Sequence, residues 1–233
     1  MEEYLKPTFF IDSNNEKILK RAKTVIKNAN TDKNRAVKLF YFVRDKIKYN
    51  PYSPFEKKED YIASVILQRG FGYCIQKALL LCALIRSVNI PCRLVFVDIK
   101  NYQAPEILKK YFGNLFKYHG YCEIFLNNRW IKATPTFNIE MCERFGYKPT
   151  EFNGEDNALL EKYDVNGNLT FEYVNFRGIF SDLPYDDIIK TYKSCLTEEQ
   201  LKSWKKLIEE RGNKEWLNNI LMLLLVKVIL IFP

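Results

Sequence analysis

A cysteine that follows two glycines and the sequence's only histidine could act together in nucleophilic chemistry. Cys74 comes after Gly70 and Gly72 and precedes a long apolar stretch. Glycines at such positions allow a tight bend or the close approach of a ligand. His119 is the only histidine in the chain. A thiol that gives its proton to a neighbouring imidazole is a standard nucleophile, and the two groups need to meet only in space. The sequence therefore predicts that Cys74 and His119 form a thiol–imidazole pair.

The segment after Cys74 has the pattern of a buried helix. No glycine or proline occurs between Cys74 and Pro91. Apolar residues recur there at helical spacing, at Ala78, Leu81, Cys82 and Ile85. Cys74 would then lie at the helix N-terminus, where the helix dipole favours a thiolate. Cys82 lies inside the apolar stripe, and we expect it to behave as a small buried hydrophobic residue.

His119 begins a segment with the pattern of a β-hairpin. Residues 121–126 alternate between two faces, and Asn127 and Asn128 can form the turn before the chain returns. Because side chains alternate with a period of two, His119, Tyr121 and Glu123 share one face of the strand. The histidine is thus predicted on a strand and the cysteine at a helix start.

Five short motifs around these residues occur in a fixed order. They are Gly72-Tyr73-Cys74, residues 89–93 (NIPCR), residues 118–121 (YHGY), residues 129–132 (RWIK) and Pro135-Thr136. With the helical segment 36–51 upstream, this set resembles the transglutaminase-like superfamily, the cysteine-protease-related domain shared by transglutaminases, microbial protease-like relatives and peptide N-glycanases. The resemblance covers about residues 32–146, and residues 133–145 look like a microbial subgroup of unassigned substrate.

The resemblance implies a fold and a set of site residues. The fold would be α+β, with N-terminal helices and a Cys74-bearing helix packed on an antiparallel sheet that carries His119. The family's third catalytic residue is an aspartate before the Pro-Thr pair, but Thr134 occupies that position. A hydroxyl can accept a hydrogen bond from imidazole but cannot stabilise imidazolium as a carboxylate does. Either catalysis uses a dyad, or Asn138 or Glu123 substitutes, or the site is weakened.

A second donor for an oxyanion hole is also predicted. The amide of Gln68, upstream of Cys74, could join the Cys74 backbone N–H, although a glutamine exposed in a loop is the alternative. The expected reaction is thiol-dependent acyl transfer at an amide bond, with hydrolysis favoured over transamidation. A non-catalytic binding module with a degraded triad is the other hypothesis, and Thr134 is its best support.

Composition limits the partners that we expect. The chain has 233 residues and a formal charge of +8, but its lysines are scattered among acidic residues, which favours a solvated surface over a nucleic-acid footprint. None of the six cysteines forms a Cys-x-x-Cys pair, so we expect no metal, no cofactor and reduced thiols in the cytoplasm. The predicted partner is a protein or peptide substrate, and the oligomeric state is left open.

Three regions are predicted along the chain. They are a catalytic core at residues 1–146, a C-terminal extension at 147–213 that packs on it, and a hydrophobic tail at 214–233. The apolar run 220–233 is broken by Lys227 and is shorter than the roughly 20 residues of a membrane span, so membrane contact through it stays open. Residues 164–168 have a weak likeness to a calcium loop and are interpreted as a hairpin turn between 159–160 and 169–174.

Overall fold

The chain alternates helices with strands along most of its length. A computed structural model describes residues 1–212, so the tail predicted at 214–233 lies outside the described residues. The helices are α1 (Glu16–Val25), α2 (Asp32–Lys46), α3 (Ala63–Arg69), α4 (Cys74–Arg86), α5 (Glu106–Phe112), α6 (Ile139–Phe145), α7 (Tyr185–Ser194) and α8 (Glu198–Arg211). The strands are β1 (Lys48–Tyr49), β2 (Phe71–Gly72), β3 (Cys92–Asn101), β4 (Leu115–Leu126), β5 (Arg129–Ala133) and β6 (Phe171–Phe180).

A four-stranded antiparallel sheet lies at the centre of the fold. Its strand order is β5-β4-β3-β6, and β1 and β2 form a separate two-residue parallel pair. The predicted hairpin of β4 and β5 is confirmed. Asn127 and Asn128 both have positive φ, 49° and 63°, which is the conformation that a tight two-residue hairpin turn requires. The predicted α+β architecture is therefore the observed one.

Helix α4 packs on one face of this sheet and is buried along almost its whole length. Residues 78–85 are apolar on every side of the helix, and such a segment can be stable only inside a core. Cys82 is fully buried, as predicted, and its thiol donates to the Cys92 carbonyl oxygen at 3.4 Å. The Cys122 thiol on β4 donates to the Ala78 carbonyl oxygen at 3.1 Å. Small thiols thus fill the contact between helix and sheet.

A second apolar cluster covers the opposite face of the sheet. It joins Val95, Val97 and Tyr121 of the sheet to residues from α6 and the segments around it, Phe137, Met141, Cys142 and Tyr147. The alternating side chains of β3 and β4 therefore supply two cores, one on each face. A sheet buried on both faces needs apolar residues at successive positions, and residues 94–97 of β3 have them.

The C-terminal extension completes the sheet as well as packing on the core. Strand β6 pairs with β3 along its length, with Leu94 opposite Phe180 and Asn101 opposite Phe171. The predicted hairpin between 159–160 and 169–174 is wrong in its pairing. A single bridge between Tyr163 and Leu169 closes the turn, and the following strand pairs with β3, far away in the sequence.

Arg86 connects three segments at the C-terminal end of α4. Its guanidinium donates to the carbonyl oxygens of Cys92 at 2.9 Å, Lys6 at 2.8 Å and Ser181 at 2.7 Å. The side chain is buried, so these bonds satisfy a charge that would otherwise be costly to remove from water. The N-terminal arm, β3 and the chain after β6 are therefore all attached to the nucleophile helix.

Replacing Arg86 by methionine should lower the free energy of unfolding by about 3–5 kcal/mol, because the buried Cys92 carbonyl and two partly buried carbonyl groups lose a charged donor. Urea denaturation measures this change. Lys46→Met, at an exposed position on α2, is the matched control and should change stability by less than about 0.5 kcal/mol. Equal stabilities of the two variants would contradict the inference that the hydrogen bonds of Arg86 hold the three segments together.

Candidate active site

Cys74 is the first residue of α4, and its side chain is partly exposed. The turn before it is fixed by Gln76, whose Oε1 accepts the Tyr73 N–H at 3.3 Å and whose Nε2 donates to the Pro54 carbonyl oxygen at 2.7 Å. The backbone N–H groups of Gly120, Ile75 and Cys74 lower the pKa of the thiol. Main-chain N–H groups of the helix start and of β4 thus lie near the sulfur.

Gly120 is the point where the His119 strand meets the nucleophile helix. A Cβ at this position would lie 2.9 Å from the Phe96 ring and 3.2 Å from the Ile75 Cα. Only glycine therefore allows β4 to approach α4 this closely. The contact joins the strand that carries His119 to the start of the helix that carries Cys74.

His119 follows a bulge in β4. Val97 pairs with His119 and Ile99 pairs with Phe116, so β4 has one extra residue between these pairs. The strand accommodates the extra residue at Tyr118, whose φ is 57°. This left-handed conformation is uncommon outside glycine, asparagine and aspartate. A bulge of this kind changes the direction of neighbouring side chains, and here the neighbour is the histidine.

Asp98 holds the bulge in place. Its carboxylate accepts the Tyr118 N–H at 3.1 Å and two bonds from Arg177, at 2.9 Å from Nε and 2.7 Å from Nη2. Burial alone would raise the pKa of Asp98, but the bonds from Arg177 and Tyr118 outweigh it and leave the pKa below its usual value. The Arg177 guanidinium also lies over the Tyr118 ring, 5.0 Å from its centroid. Sequence reasoning missed this network because its members are distant in the chain.

No carboxylate among the described residues pairs with the imidazole of His119. Its Nε2 and the hydroxyls of Thr134 and Thr136 are buried and have no partner of good hydrogen-bond geometry among residues 1–212. The Tyr173 ring packs edge-on to the histidine at 6.0 Å between centroids, and its hydroxyl accepts the Leu160 N–H at 3.0 Å and lies close to Thr134. Thr134 is thus near the tyrosine that packs on His119.

The two substitutes considered for the missing aspartate have other partners. Glu123 forms an ion pair with Arg93 at 2.7 Å. Asn138 accepts the Tyr49 N–H at 3.1 Å through its Oδ1. Both side chains are buried in these contacts. The structure therefore brings neither of them to His119.

Burial leaves both members of the pair uncharged. It raises the pKa of the Cys74 thiol to about 11, although the surrounding N–H groups lower it. It lowers the pKa of His119 to about 3. The sequence-based expectation that the helix dipole would give a thiolate is not met, because loss of water around the thiol outweighs the main-chain donors. The resting site holds a neutral thiol and a neutral imidazole.

Gln68 does not reach the site. It is exposed on α3, where its Oε1 accepts a hydrogen bond from the Lys17 ammonium at 2.7 Å. The expected oxyanion role is therefore contradicted by its position, since α3 ends before the turn that leads to Cys74 and directs this side chain to solvent. Gln68 is the exposed glutamine of the alternative interpretation.

Tyr49, unlike Gln68, lines the same cavity as Cys74. Strand β1 pairs with β2, which places Tyr49 opposite Gly72, two residues before the cysteine. Burial, and then the proximity of Cys74, raises the pKa of the Tyr49 hydroxyl well above its ordinary value. No local pattern in the sequence indicates that Tyr49 lies in the same site as Cys74, because this placement depends on the pairing between β1 and β2. The tyrosine hydroxyl is a candidate donor that sequence reasoning missed.

Cys74 and His119 open on one cavity of about 760 Å³. Its wall also includes Tyr49, Thr136 and Tyr73. Cys74 is only half-buried, so a substrate in the cavity can contact the sulfur. The wall thus has a thiol, an imidazole and the start of a helix, which are candidates for the nucleophile, the base and the main-chain donor of acyl transfer.

The part of the chain that the structure describes offers no metal-binding cluster of three or more acidic, cysteine or histidine side chains. In the loop that was compared with a calcium site, the Asp164 carboxylate accepts the N–H groups of Asn166 and Asn168, each at 2.8 Å, and the Gln103 amide at 2.9 Å. The aspartate thus stabilises a turn. All six cysteines are free thiols, as the sequence predicted.

Comparison with known families agrees with this geometry. Residues 20–135 match the model of the family described as the transglutaminase-like superfamily. The chain belongs to that superfamily. The match includes the cysteine, the turn after its helix and the histidine, and it confirms the resemblance carried by those motifs. In general terms, the family indicates a protein whose activity depends on a thiol group.

Two solved structures are similar to part of this chain. One is named "Putative Cysteine Protease from Cytophaga hutchinsonii", with 15% identity and a TM-score of 0.45, covering 76% of this chain and 52% of the other. The second is named "putative protease from Parabacteroides distasonis", with 9% identity and a TM-score of 0.39, covering 54% and 24%. The chain thus spans about half and about a quarter of their lengths. No curated protein matches it.

No helix within residues 1–212 combines the length and apolar character needed to cross a bilayer. The apolar run that left membrane contact open lies in the tail, outside these residues.

Gly120→Ala should lower the free energy of unfolding by about 1–3 kcal/mol, because the added methyl group meets the Phe96 ring and the helix backbone at once. Thermal or urea unfolding gives the value. Adding Phe96→Leu should recover part of the loss by freeing one of the two contacts, and a double-mutant cycle measures that coupling. Strictly additive effects would contradict the close contact.

The buried imidazole should make stability sensitive to mild acid. The unfolded chain binds a proton at His119 near pH 6.5, whereas the folded chain binds it near pH 3. Because folding excludes this proton, stability is complete above pH 6.5 and falls by about 1.4 kcal/mol per pH unit as the pH decreases towards 3. Unfolding between pH 6.5 and 4.5 should show this slope, and His119→Gln should lack it. The same slope in both proteins would contradict the buried neutral histidine.

Proposed function

We propose that the chain is a thiol-dependent acyl-transfer enzyme that acts on amide bonds and favours hydrolysis. One observation carries the proposal: Cys74 and His119 line the same cavity. The close contact at Gly120 joins α4, which carries the thiol, to β4, which carries the imidazole, and the Gly120 N–H lowers the pKa of the thiol. The family membership supports a thiol nucleophile.

The proposed reaction begins from the neutral pair. As the sulfur attacks the carbonyl carbon, His119 takes the thiol proton, so a free thiolate is not required. The oxyanion accepts the Cys74 N–H and the hydroxyl of Tyr49, the donor that replaces Gln68 in the proposal. His119 then gives its proton to the leaving amine. Water resolves the thioester with His119 as base and releases the acid and the free thiol.

Several observations also favour a non-catalytic binding module of the same fold. Thr134 stands in place of the family's aspartate, and Nε2 of His119 has no partner within residues 1–212. Burial lowers the pKa of His119 to about 3, which makes it a weak base. The two functions differ in one measurable respect, because a binding module forms no acyl-enzyme.

Turnover of amide substrates tests the proposal. Fluorogenic acyl-aminocoumarins and peptide amides should release their amines, and mass spectrometry should detect a thioester on Cys74. Cys74→Ala and His119→Ala should each reduce the rate about 10³-fold or more, and Tyr49→Phe about 10²-fold. Gln68→Ala is the matched control and should retain the parent rate. Binding without turnover or thioester would favour the binding module.

The pH dependence gives a second readout of the same site. Because the pKa of the thiol is about 11, alkylation of Cys74 by iodoacetamide in the absence of substrate should be slow at pH 7 and should accelerate up to about pH 11. Rapid labelling below pH 7 would show a thiolate–imidazolium pair and would contradict the neutral resting state.

Adding hydroxylamine during turnover measures the share of acyl groups that pass to an amine, and a hydrolase should give mainly the acid.

A further inference from the structure

The cavity around the thiol has a wall built mainly of aromatic and aliphatic side chains. It draws on both apolar clusters of the fold, and Tyr49 and Phe116 belong to both. On one side Trp204 packs against Tyr52, Tyr111 and Phe112, with ring centroids 5.0–5.3 Å apart. At about 760 Å³ the space is large enough for a ligand of drug-like size.

The charges on the wall have one sign. No aspartate or glutamate is among the described residues that line the cavity. Lys117 and Arg211, in contrast, both line it. Neither cation forms an ion pair with a carboxylate of residues 1–212. A positively charged ligand would find no carboxylate on the described wall and would be repelled by Lys117 and Arg211, whereas an anionic ligand would gain these cations as partners.

Several polar side chains of the wall already have partners within the fold: the hydroxyls of Tyr73 and Tyr111, for example, lie 2.7 Å from those of Tyr61 and Ser203. Ser53 already donates to the Asn50 carbonyl oxygen at 2.8 Å, and Asn101 accepts the Gln103 N–H at 3.1 Å. The buried hydroxyl of Thr136 lines the cavity and has no partner of good geometry among residues 1–212. Each peptide unit carries a donor and an acceptor that need partners when buried, so the wall suits one amide group better than a run of them.

We propose that the cavity binds small amides whose acyl part is a bulky aliphatic or aromatic group without positive charge, with Thr136 bonding the single amide. The identification of these amides as acyl donors rests on the proposed function, but their binding does not. The sequence predicted a protein or peptide substrate, and this inference restricts the substrate to small amides with a single amide group. The acyl group lies against the aromatic wall and its carbonyl carbon faces the Cys74 sulfur.

Binding to the full-length Cys74→Ala protein tests the inference without turnover. The probes are acetyl and decanoyl amides of one aminocoumarin, ω-carboxylate and ω-trimethylammonium forms of the decanoyl probe, and a pentapeptide amide. Calorimetric titration should give at least a hundredfold tighter binding for decanoyl than for acetyl, since each buried methylene adds affinity. The cationic form should bind at least tenfold more weakly than the anionic form.

Two variants locate the bound probe. Leu196→Trp adds bulk to the wall and should weaken decanoyl binding at least tenfold while leaving acetyl binding unchanged. Thr136→Val removes the hydroxyl at nearly constant volume and should weaken both probes by the same factor. Val165→Trp, at an exposed position outside the cavity, is the control for the added indole. Thermal unfolding of each variant separates loss of binding from loss of the fold.

The outcomes separate this inference from the proposed function. Equal affinities for acetyl and decanoyl probes, tighter binding of the peptide, or no saturable binding to the full chain would overturn it. Turnover of peptides with no preference for apolar acyl groups would also overturn it and leave the acyl-transfer function standing. Selective decanoyl binding without turnover in the parent protein would support the cavity's specificity and contradict the enzyme.

Discussion

The whole site depends on how closely the start of α4 approaches strand β4 at Gly120. A hydrogen atom in place of a side chain allows the Ile75 backbone and the Phe96 ring to pack against the strand. The Gly120 N–H then lies close enough to the Cys74 thiol to lower its pKa. This contact fixes one end of the nucleophile helix. The Arg86 guanidinium fixes the other end by binding three carbonyl groups from separate segments. Because both ends are held and the helix is buried between them, the thiol has a defined position relative to the sheet.

The same burial that gives this precision controls the chemistry of the pair. Desolvation raises the pKa of Cys74 and lowers that of His119, so both side chains are neutral at rest. A carboxylate does act near the histidine, but it acts on the backbone: Asp98 binds the N–H of Tyr118 and holds the bulge that directs His119. The family's aspartate would bind the imidazole itself. Here the position of the histidine comes from a constrained main chain and from Tyr173 packed on its ring.

Two parts of the chain contribute differently to the site. The segment that matches the superfamily, residues 20–135, supplies Cys74, His119 and Tyr49. Much of the cavity wall comes from residues beyond it, including Tyr147, Phe171, Tyr192 and Trp204. Strand β6 joins the second part to the first by pairing with β3. The candidate nucleophile and base therefore lie in the segment that matches the family, whereas the extension adds aromatic residues to the wall around them.

The sequence alone determined the elements whose signals are local. The helix at Cys74 followed from an apolar run without glycine or proline, the β4–β5 hairpin from its alternation and paired asparagines, and the family from five ordered motifs. Only the tertiary structure decided that Gln68 faces solvent while Tyr49 lines the cavity with the thiol, that Asp98 holds the bulge, and that β6 pairs with β3. The reason is physical: propensity and periodicity act over a few neighbouring residues, whereas strand partners, buried hydrogen bonds and the loss of water that shifts a pKa depend on which distant segments the core brings together.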